Sequence, residues 1–303
     1  MRTRRMTTGK LLVITDRDIA LFRALTRYRY LRSTYLHAFA GGASETRFKE
    51  RLGDLFHEGY LDRPQEQWRF ANSRYRPVVH ELGARARQIL SEHGIADGEE
   101  RTWFRDVPHR QFEHSLMVCE ILASIELGMR ERLETRLVPW TEILAKAPEQ
   151  TRRRGNPFLM TVQVPGLPEA ISVAPDAVFG IEYQSTDRKL YRFFALEADR
   201  GTMPIVRSHG RQTSYLGKIA AYREVLARQV HKAQLGLPNL LVLTVTTSAL
   251  RKSEIIRRIE GQSDVSAGFL FKAVDDTVAP APQLFCEPWA RAGHHALCIV
   301  GPY

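Results

Sequence analysis

Apolar residues in the first sixty positions recur at intervals of three and four, the spacing that lines one face of a helix. Ile19, Phe22, Ala24 and Leu25 follow Thr15, whose side chain suits a helix start just ahead of the acids Asp16 and Asp18. The stretch RSTYLHAFA predicts a short second helix with Tyr35, Leu36 and Phe39 on its apolar side, ended by Gly41 and Gly42. Ser44 then caps a third helix. Phe48, Leu52, Leu55 and Phe56 form its apolar stripe, and Thr46, Arg47, Lys49, Glu50 and Arg51 its other face. After Gly59 the pattern becomes extended at Tyr60 and Leu61, passes through a polar tip, and is extended again from Tyr75 to Val79. This predicts a hairpin carrying Arg63, Arg69, Arg74 and Arg76. Three short helices and a basic hairpin together predict a winged helix-turn-helix. Its third helix would enter the major groove of double-stranded DNA while the wing lies along phosphates. A helix over 81–94 and a linker-like stretch over 95–109 follow, so the domains are drawn as 1–105 and 106–303.

The pattern then changes. Residues 109–133 predict a long amphipathic helix built on Phe112, Leu116, Cys119, Ile121, Leu122 and Ile125, and 139–157 read as loop with a basic turn at Arg152–Arg154. Strand-like runs come next at FLMTVQV with AISVA, at DAVFGIEY and at LYRFFALEAD. A helix is predicted over 211–231, an apolar strand at NLLVLTVTT, a helix at ALRKSEIIRRIEG and a final strand at GFLFKAV. That order predicts an α/β domain with a central mixed sheet, making the whole chain α+β in the wider sense.

Charge sharpens the first half of this picture. The 303 residues carry 44 Lys+Arg against 34 Asp+Glu, a net charge of +10. The first 110 residues hold 21 of the basic and 14 of the acidic side chains. A basic module of this kind favours a polyanion, above all nucleic acid. The composition, 44% hydrophobic and 26% charged, is that of a soluble globular protein. No apolar window approaches the ~18 residues of a membrane span. The basic amino terminus lacks the apolar core of a secretory signal. Three cysteines are too few for a disulfide framework, and a reducing cytoplasm is the expected compartment.

The candidate chemistry sits at strand ends. Asp176 follows Pro175 at the mouth of one predicted strand, and Glu197 and Asp199 close the next. Carboxylates brought together in this way suit Mg²⁺ or Mn²⁺ with waters retained, an arrangement able to polarise a phosphoryl oxygen for phosphodiester cleavage. Other constellations are weaker. His114 and Glu120 share the long helix, and Glu120 reads more readily as half of a salt bridge than as a metal ligand. Cys286, His294, His295 and Cys298 have no structural zinc spacing. GRQTSYLGK is not a phosphate-binding loop, because six residues separate its glycines and Ile219 stands where Ser or Thr would hold Mg²⁺. No H-x-H cluster accompanies Tyr28, Tyr30 or Tyr35 to suggest a tyrosine nucleophile.

The runs TDRDIALFRALTRYRYL, FKERLGDLFHEGYLDR, VAPDAVF and FFALEADRGTMP resemble the replication-relaxation family of plasmids and integrative elements, over roughly residues 13–230. The resemblance implies a part in plasmid replication and DNA relaxation, and a C-terminal domain similar to the restriction-endonuclease-like PD-(D/E)xK fold. On that motif Asp176 takes the PD position and Glu197 the acidic one, while Asp199 stands where the motif has lysine. Either Arg200 or Lys218 would then supply the missing cation, or the site is inactive. In a purely structural reading, Glu197 and Asp199 fasten a loop by pairing with Arg200, Arg207 or Arg211. The expected function is DNA binding for a mobile element, accessory to its replication, relaxation or transfer. A relaxase or replication protein is a candidate partner and a homodimer a candidate assembly. The alternatives are a metal-dependent endonuclease or nickase using Asp176, Glu197 and Asp199, and a transcriptional regulator whose α/β domain senses a partner.

Overall fold

Thr15 starts the first helix by a reciprocal cap: its hydroxyl accepts from the Asp18 amide, and the Asp18 carboxylate accepts from the Thr15 amide at 2.8 Å. The computed structural model describes residues 3–42, 44–69, 72–95, 112–130, 132, 134–184, 188–205, 214–260, 267–274 and 278–301. Two units emerge: 1–127 with 276–282, and 128–275 with 283–303.

The first unit runs α1 (Asp16–Tyr28), β1 (Leu31–Arg32), α2 (Ser33–Ala40), α3 (Glu45–His57), β2 (Leu61–Asp62), β3 (Val79–Leu82), α4 (Ala84–Glu92) and α5 (Phe112–Met129). The Ser44 hydroxyl caps α3 by accepting from the Arg47 amide. The apolar stripes meet as their spacing requires: Phe22 and Leu25 of α1, Leu36 of α2 and Leu52 and Leu55 of α3 share one buried cluster. The three strands form an antiparallel sheet in the order β1-β3-β2. Gly83 is required where β3 turns into α4, because a Cβ there would lie 2.4 Å from the Gly59 carbonyl oxygen.

Two expectations for this unit are corrected. The hairpin arms are short, and between them the described residues 63–69 and 72–78 hold 3-10 turns at Gln65–Arg69 and Ser73–Tyr75, so Tyr75 is not in a strand. Pro64 and Pro77 have no N–H to give a ladder. The buried Gln67 amide takes the place of a strand neighbour, donating to the Val79 carbonyl at 3.0 Å and accepting from the Val79 amide at 2.9 Å. The division between units falls after Leu127, not at 105, because Cys119 and Ala123 of α5 pack into the core of the first unit. The linker-like residues 96–111 lie outside the described residues.

The second unit contains β4 (Thr135–Val138), α6 (Trp140–Lys146), α7 (Glu149–Arg152), β5 (Met160–Val162), β6 (Ile171–Val173), β7 (Ala177–Gln184), β8 (Lys189–Asp199), α8 (Tyr215–Ala227), α9 (Val230–Leu235), β9 (Leu241–Thr246), α10 (Ala249–Glu260), β10 (Phe269–Ala273), α11 (Gln283–Cys286), β11 (Trp289–Arg291) and β12 (His294–Leu297). Among the described residues seven of these strands build one mixed sheet, β12-β11-β10-β9-β8-β7-β4, and the fold class is α/β. β4, β7 and β8 are antiparallel, while β8, β9 and β10 are parallel. β5 and β6 pair apart from the main sheet. The 139–157 stretch, expected as loop, holds α6 and α7, and the strand expected to be last is followed by β11 and β12. The helix expected over 211–231 is two, split where Gln229 takes a left-handed conformation.

β8 and β9, and then β9 and β10, are joined through α8 and α10 in the same direction across the sheet, which usually puts both helices on one face. Glu197 and Asp199, two residues apart on β8, also share a face. The contacts below agree, since α8 reaches Glu197 and α10 reaches Asp199.

Candidate functional site

The register Ala177↔Leu196 puts Asp176 at the mouth of β7 beside the end of β8. Its amide donates to the Leu196 carbonyl at 2.9 Å, and its Oδ2 accepts from the Ala198 amide at 2.8 Å. Glu197 next to it is 4% exposed. Both of its oxygens are held from α8: Lys218 Nζ donates to Oε2 at 2.6 Å and the Tyr222 hydroxyl to Oε1 at 2.6 Å. Lys218 and Tyr222 are one helical turn apart, the spacing at which two side chains point the same way.

Burial and the Asp176 carboxylate push the Glu197 carboxyl up to about 7, against the pull of Lys218 and Tyr222. Burial opposes the charge on Lys218, but Glu197 and Asp176 outweigh it and its pKa is raised. Asp176, Glu197 and Lys218 thus form a two-carboxylate, one-ammonium site.

Asp199 is not part of it. Arg251 of α10 grips the Asp199 carboxylate through Nε and through Nη2, the latter at 3.0 Å, and the same Nη2 donates to the Met203 carbonyl at 2.6 Å. The Gly201 amide donates to Asp199 Oδ1 at 3.0 Å. The loop after β8 is therefore fastened through Asp199, and the assignment of Asp199 as a catalytic or metal-binding residue is corrected. The structural reading had looked to Arg200, Arg207 or Arg211; Arg207 and Arg211 lie outside the described residues. Among the described residues no three His, Cys, Asp or Glu side chains converge to hold one metal ion, Cys286, His294, His295 and Cys298 included. Glu120 belongs to the first unit, where it is fully buried against Arg32.

The basic candidates of the first unit separate by environment. Thr46, Arg47, Lys49 and Glu50 are exposed on α3, whose residues Leu52, Leu55 and Phe56 are buried. Lys49 pairs with Glu45 at 2.7 Å, one turn apart on the exposed helix surface. Arg69, Arg74 and Arg76 are exposed along the 63–78 segment. Arg63 lies 4.0 Å over the Phe56 ring. Arg51 is corrected from base reader to structural side chain. It donates to Asp18 at 2.6 and 3.1 Å and to the Val13 carbonyl at 2.7 Å. Burial works to raise the Asp18 carboxyl, but the Arg51 and Thr15 hydrogen bonds outweigh it and the pKa is lowered. Arg51→Ala should therefore cost about 1–3 kcal/mol in urea unfolding. Arg47→Ala should leave stability within about 0.5 kcal/mol.

Sequence reasoning missed Tyr222 and Arg251. Four-residue spacing from Lys218 is a signal for the first. Nothing links Arg251 to Asp199 before the sheet is assembled, 52 residues apart.

An α/β protein with acidic strand mouths and a helix lysine is thereby defined. The replication-relaxation family model matches residues 22–241, and the chain belongs to that family. The family suggests a role in plasmid or mobile-element replication or relaxation. Comparison with curated proteins and with solved structures gives no match. Among the described residues no helix is long and apolar enough to cross a membrane.

Proposed function

We propose that the protein is a DNA-binding factor of a mobile element, its first unit a winged helix that reads double-stranded DNA. The observation that carries this reading is the exposed face of α3, with Thr46 and Arg47 turned away from the buried stripe and Lys49 exposed at its edge. The order α1-β1-α2-α3-β2-β3 supports it, as do the exposed Arg69, Arg74 and Arg76. Side chains of α3 read base edges in the major groove, and the arginines of 63–78 neutralise phosphates. Fluorescence anisotropy across salt concentrations tests this. Arg47→Ala should weaken binding to the preferred sequence by about 1–3 kcal/mol. Arg69→Ala or Arg74→Ala should weaken binding to all sequences and flatten the salt slope by about one unit. Unchanged affinity in all three variants would remove the reading.

A second reading, metal-dependent DNA cleavage by a restriction-endonuclease-like second unit, is favoured by one observation: Lys218 Nζ on Glu197 beside Asp176. A helix lysine there supplies the cation that Asp199 does not. Asp176 and Glu197 fit Mg²⁺ or Mn²⁺, which take one or two protein carboxylates together with substrate phosphate, and two neighbouring carboxylates share the one Lys218 ammonium here. Such an ion, when bound, polarises a phosphoryl oxygen and activates water. Lys218 holds a positive charge at Glu197 Oε2, and Tyr222 fixes the carboxylate plane from Oε1. Supercoiled plasmid incubated with Mg²⁺ or Mn²⁺ should be nicked, and Glu197→Gln should abolish nicking in a folded protein. Absence of cleavage would leave the binding reading alone.

A further inference from the structure

Beside α3 the first unit carries a groove of about 330 Å³, the lower end of the range for small-molecule sites. Leu52, Pro77 and Val78 give it apolar wall, and Lys49, Arg63 and Arg76 outnumber its one carboxylate, Glu45, which pairs with Lys49 at 2.7 Å. Two further lining residues point to a ligand. His80 is 1% exposed, and its buried Nδ1 has no hydrogen-bond partner among the described residues. Tyr75 is 89% exposed at the end of the second 3-10 turn, an aromatic face turned to solvent.

The chemistry of these groups selects the occupant. Burial, helped by the Arg63 charge, keeps the His80 imidazole neutral at ordinary pH. A neutral imidazole has one donor and one acceptor nitrogen, which suits the edge of an uncharged base better than a phosphate. Apolar walls and an open aromatic ring suit the base's flat face, since base–aromatic stacking tolerates any base. Cations at the same groove suit the phosphate that accompanies it. A base inside an intact stack offers no free face, so the nucleotide must be unpaired or turned out.

We infer that this groove takes one unpaired nucleotide of a DNA strand, its base against Tyr75 and His80 and its phosphate against Lys49 and Arg76. The inference rests on the DNA-binding reading above and deepens it: the protein distinguishes DNA carrying an unpaired nucleotide from a perfect duplex.

The test compares the full chain on a labelled duplex and on the same duplex with one bulged nucleotide, by anisotropy, with 2-aminopurine at the bulge reporting stacking. Binding to the bulged DNA should be about tenfold tighter, with quenched 2-aminopurine emission. Tyr75→Ala, at an exposed position, should erase the preference and the quenching while duplex binding persists, and Tyr75→Phe should keep both. His80→Gln should change which of the four bulged nucleotides is preferred. Equal affinity for the two DNAs, or a preference untouched by Tyr75→Ala, overturns the inference and leaves duplex reading standing. A free deoxynucleoside monophosphate that binds through Tyr75 without affecting the DNA preference also overturns it, in favour of an effector site. Failure to bind any DNA removes both.

Discussion

Lys218→Met, studied in chelator so that no divalent ion intervenes, is expected to raise the proton affinity of Glu197 further and to make stability fall more steeply with pH. The Glu197 carboxyl is already raised from an ordinary 4.5 to about 7 by burial and by Asp176, with Lys218 pulling the other way. A carboxyl whose folded pKa exceeds its unfolded value holds its proton longer in the folded state. Its contribution is present below pH 4.5 and is lost as pH rises through 7, about 3 kcal/mol in all. Without the ammonium the folded pKa climbs, and the loss extends further by about 1.4 kcal/mol for each added unit. Urea midpoints from pH 5 to 9 should therefore diverge, the variant falling away above neutrality. Adding Asp176→Asn should bring the variant back, because Asp176 is the neighbouring charge that raises Glu197. Superimposable profiles for wild type and Lys218→Met would show that the ammonium does not govern Glu197. Under the cleavage reading the same variant should also lose nicking at neutral pH, with Glu197 protonated.

The site's legibility in sequence follows the range of the forces that build it. The α3 stripe and the Thr15 and Ser44 caps are local patterns, and they emerge as read. The acidic strand mouths are nearly as local, since an apolar run ending in Glu197 points to a buried carboxylate. Which cation meets which acid is not local. Lys218 and Arg251 each reach β8 from a crossover helix, so their pairing is decided by strand order and not by nearness along the chain. The same holds for Arg51, whose place on the polar side of α3 resembles that of Arg47 until Asp18 of α1 packs against it. At 63–78, Gln67 substitutes for a strand, which no alternation of apolar and polar residues encodes. The helix α5, expected to be amphipathic, is buried on nearly all sides, and the packing of Cys119 and Ala123 decides which unit it joins.

These placements give the two units opposite responses to mild acid at their buried sites, and His80 sets that of the first. Burial and the Arg63 charge lower its pKa from 6.5 to about 3, so between these values the unfolded chain binds a proton that the folded one refuses. Stability from His80 is thus fully present above pH 6.5 and is lost as pH falls towards 3, about 5 kcal/mol in total. The lowered carboxyls Asp18 and Glu58 act in the same direction, but only once pH drops below the ordinary carboxylate range. Between pH 6.5 and 4.5 His80 therefore changes the stability of the first unit by about 1.4 kcal/mol per pH unit. Over the same interval Glu197 gains stability for the second unit on acidification, while His231, lowered by burial, offsets part of that gain. His80→Gln removes the titrating group and retains an amide of similar reach. Urea midpoints of the variant should be flatter than wild type between pH 4.5 and 6.5, whatever the offset at pH 7. Parallel midpoints across that interval would mean that the imidazole is protonated in the folded protein, and a charged His80 would no longer favour an uncharged base over a phosphate.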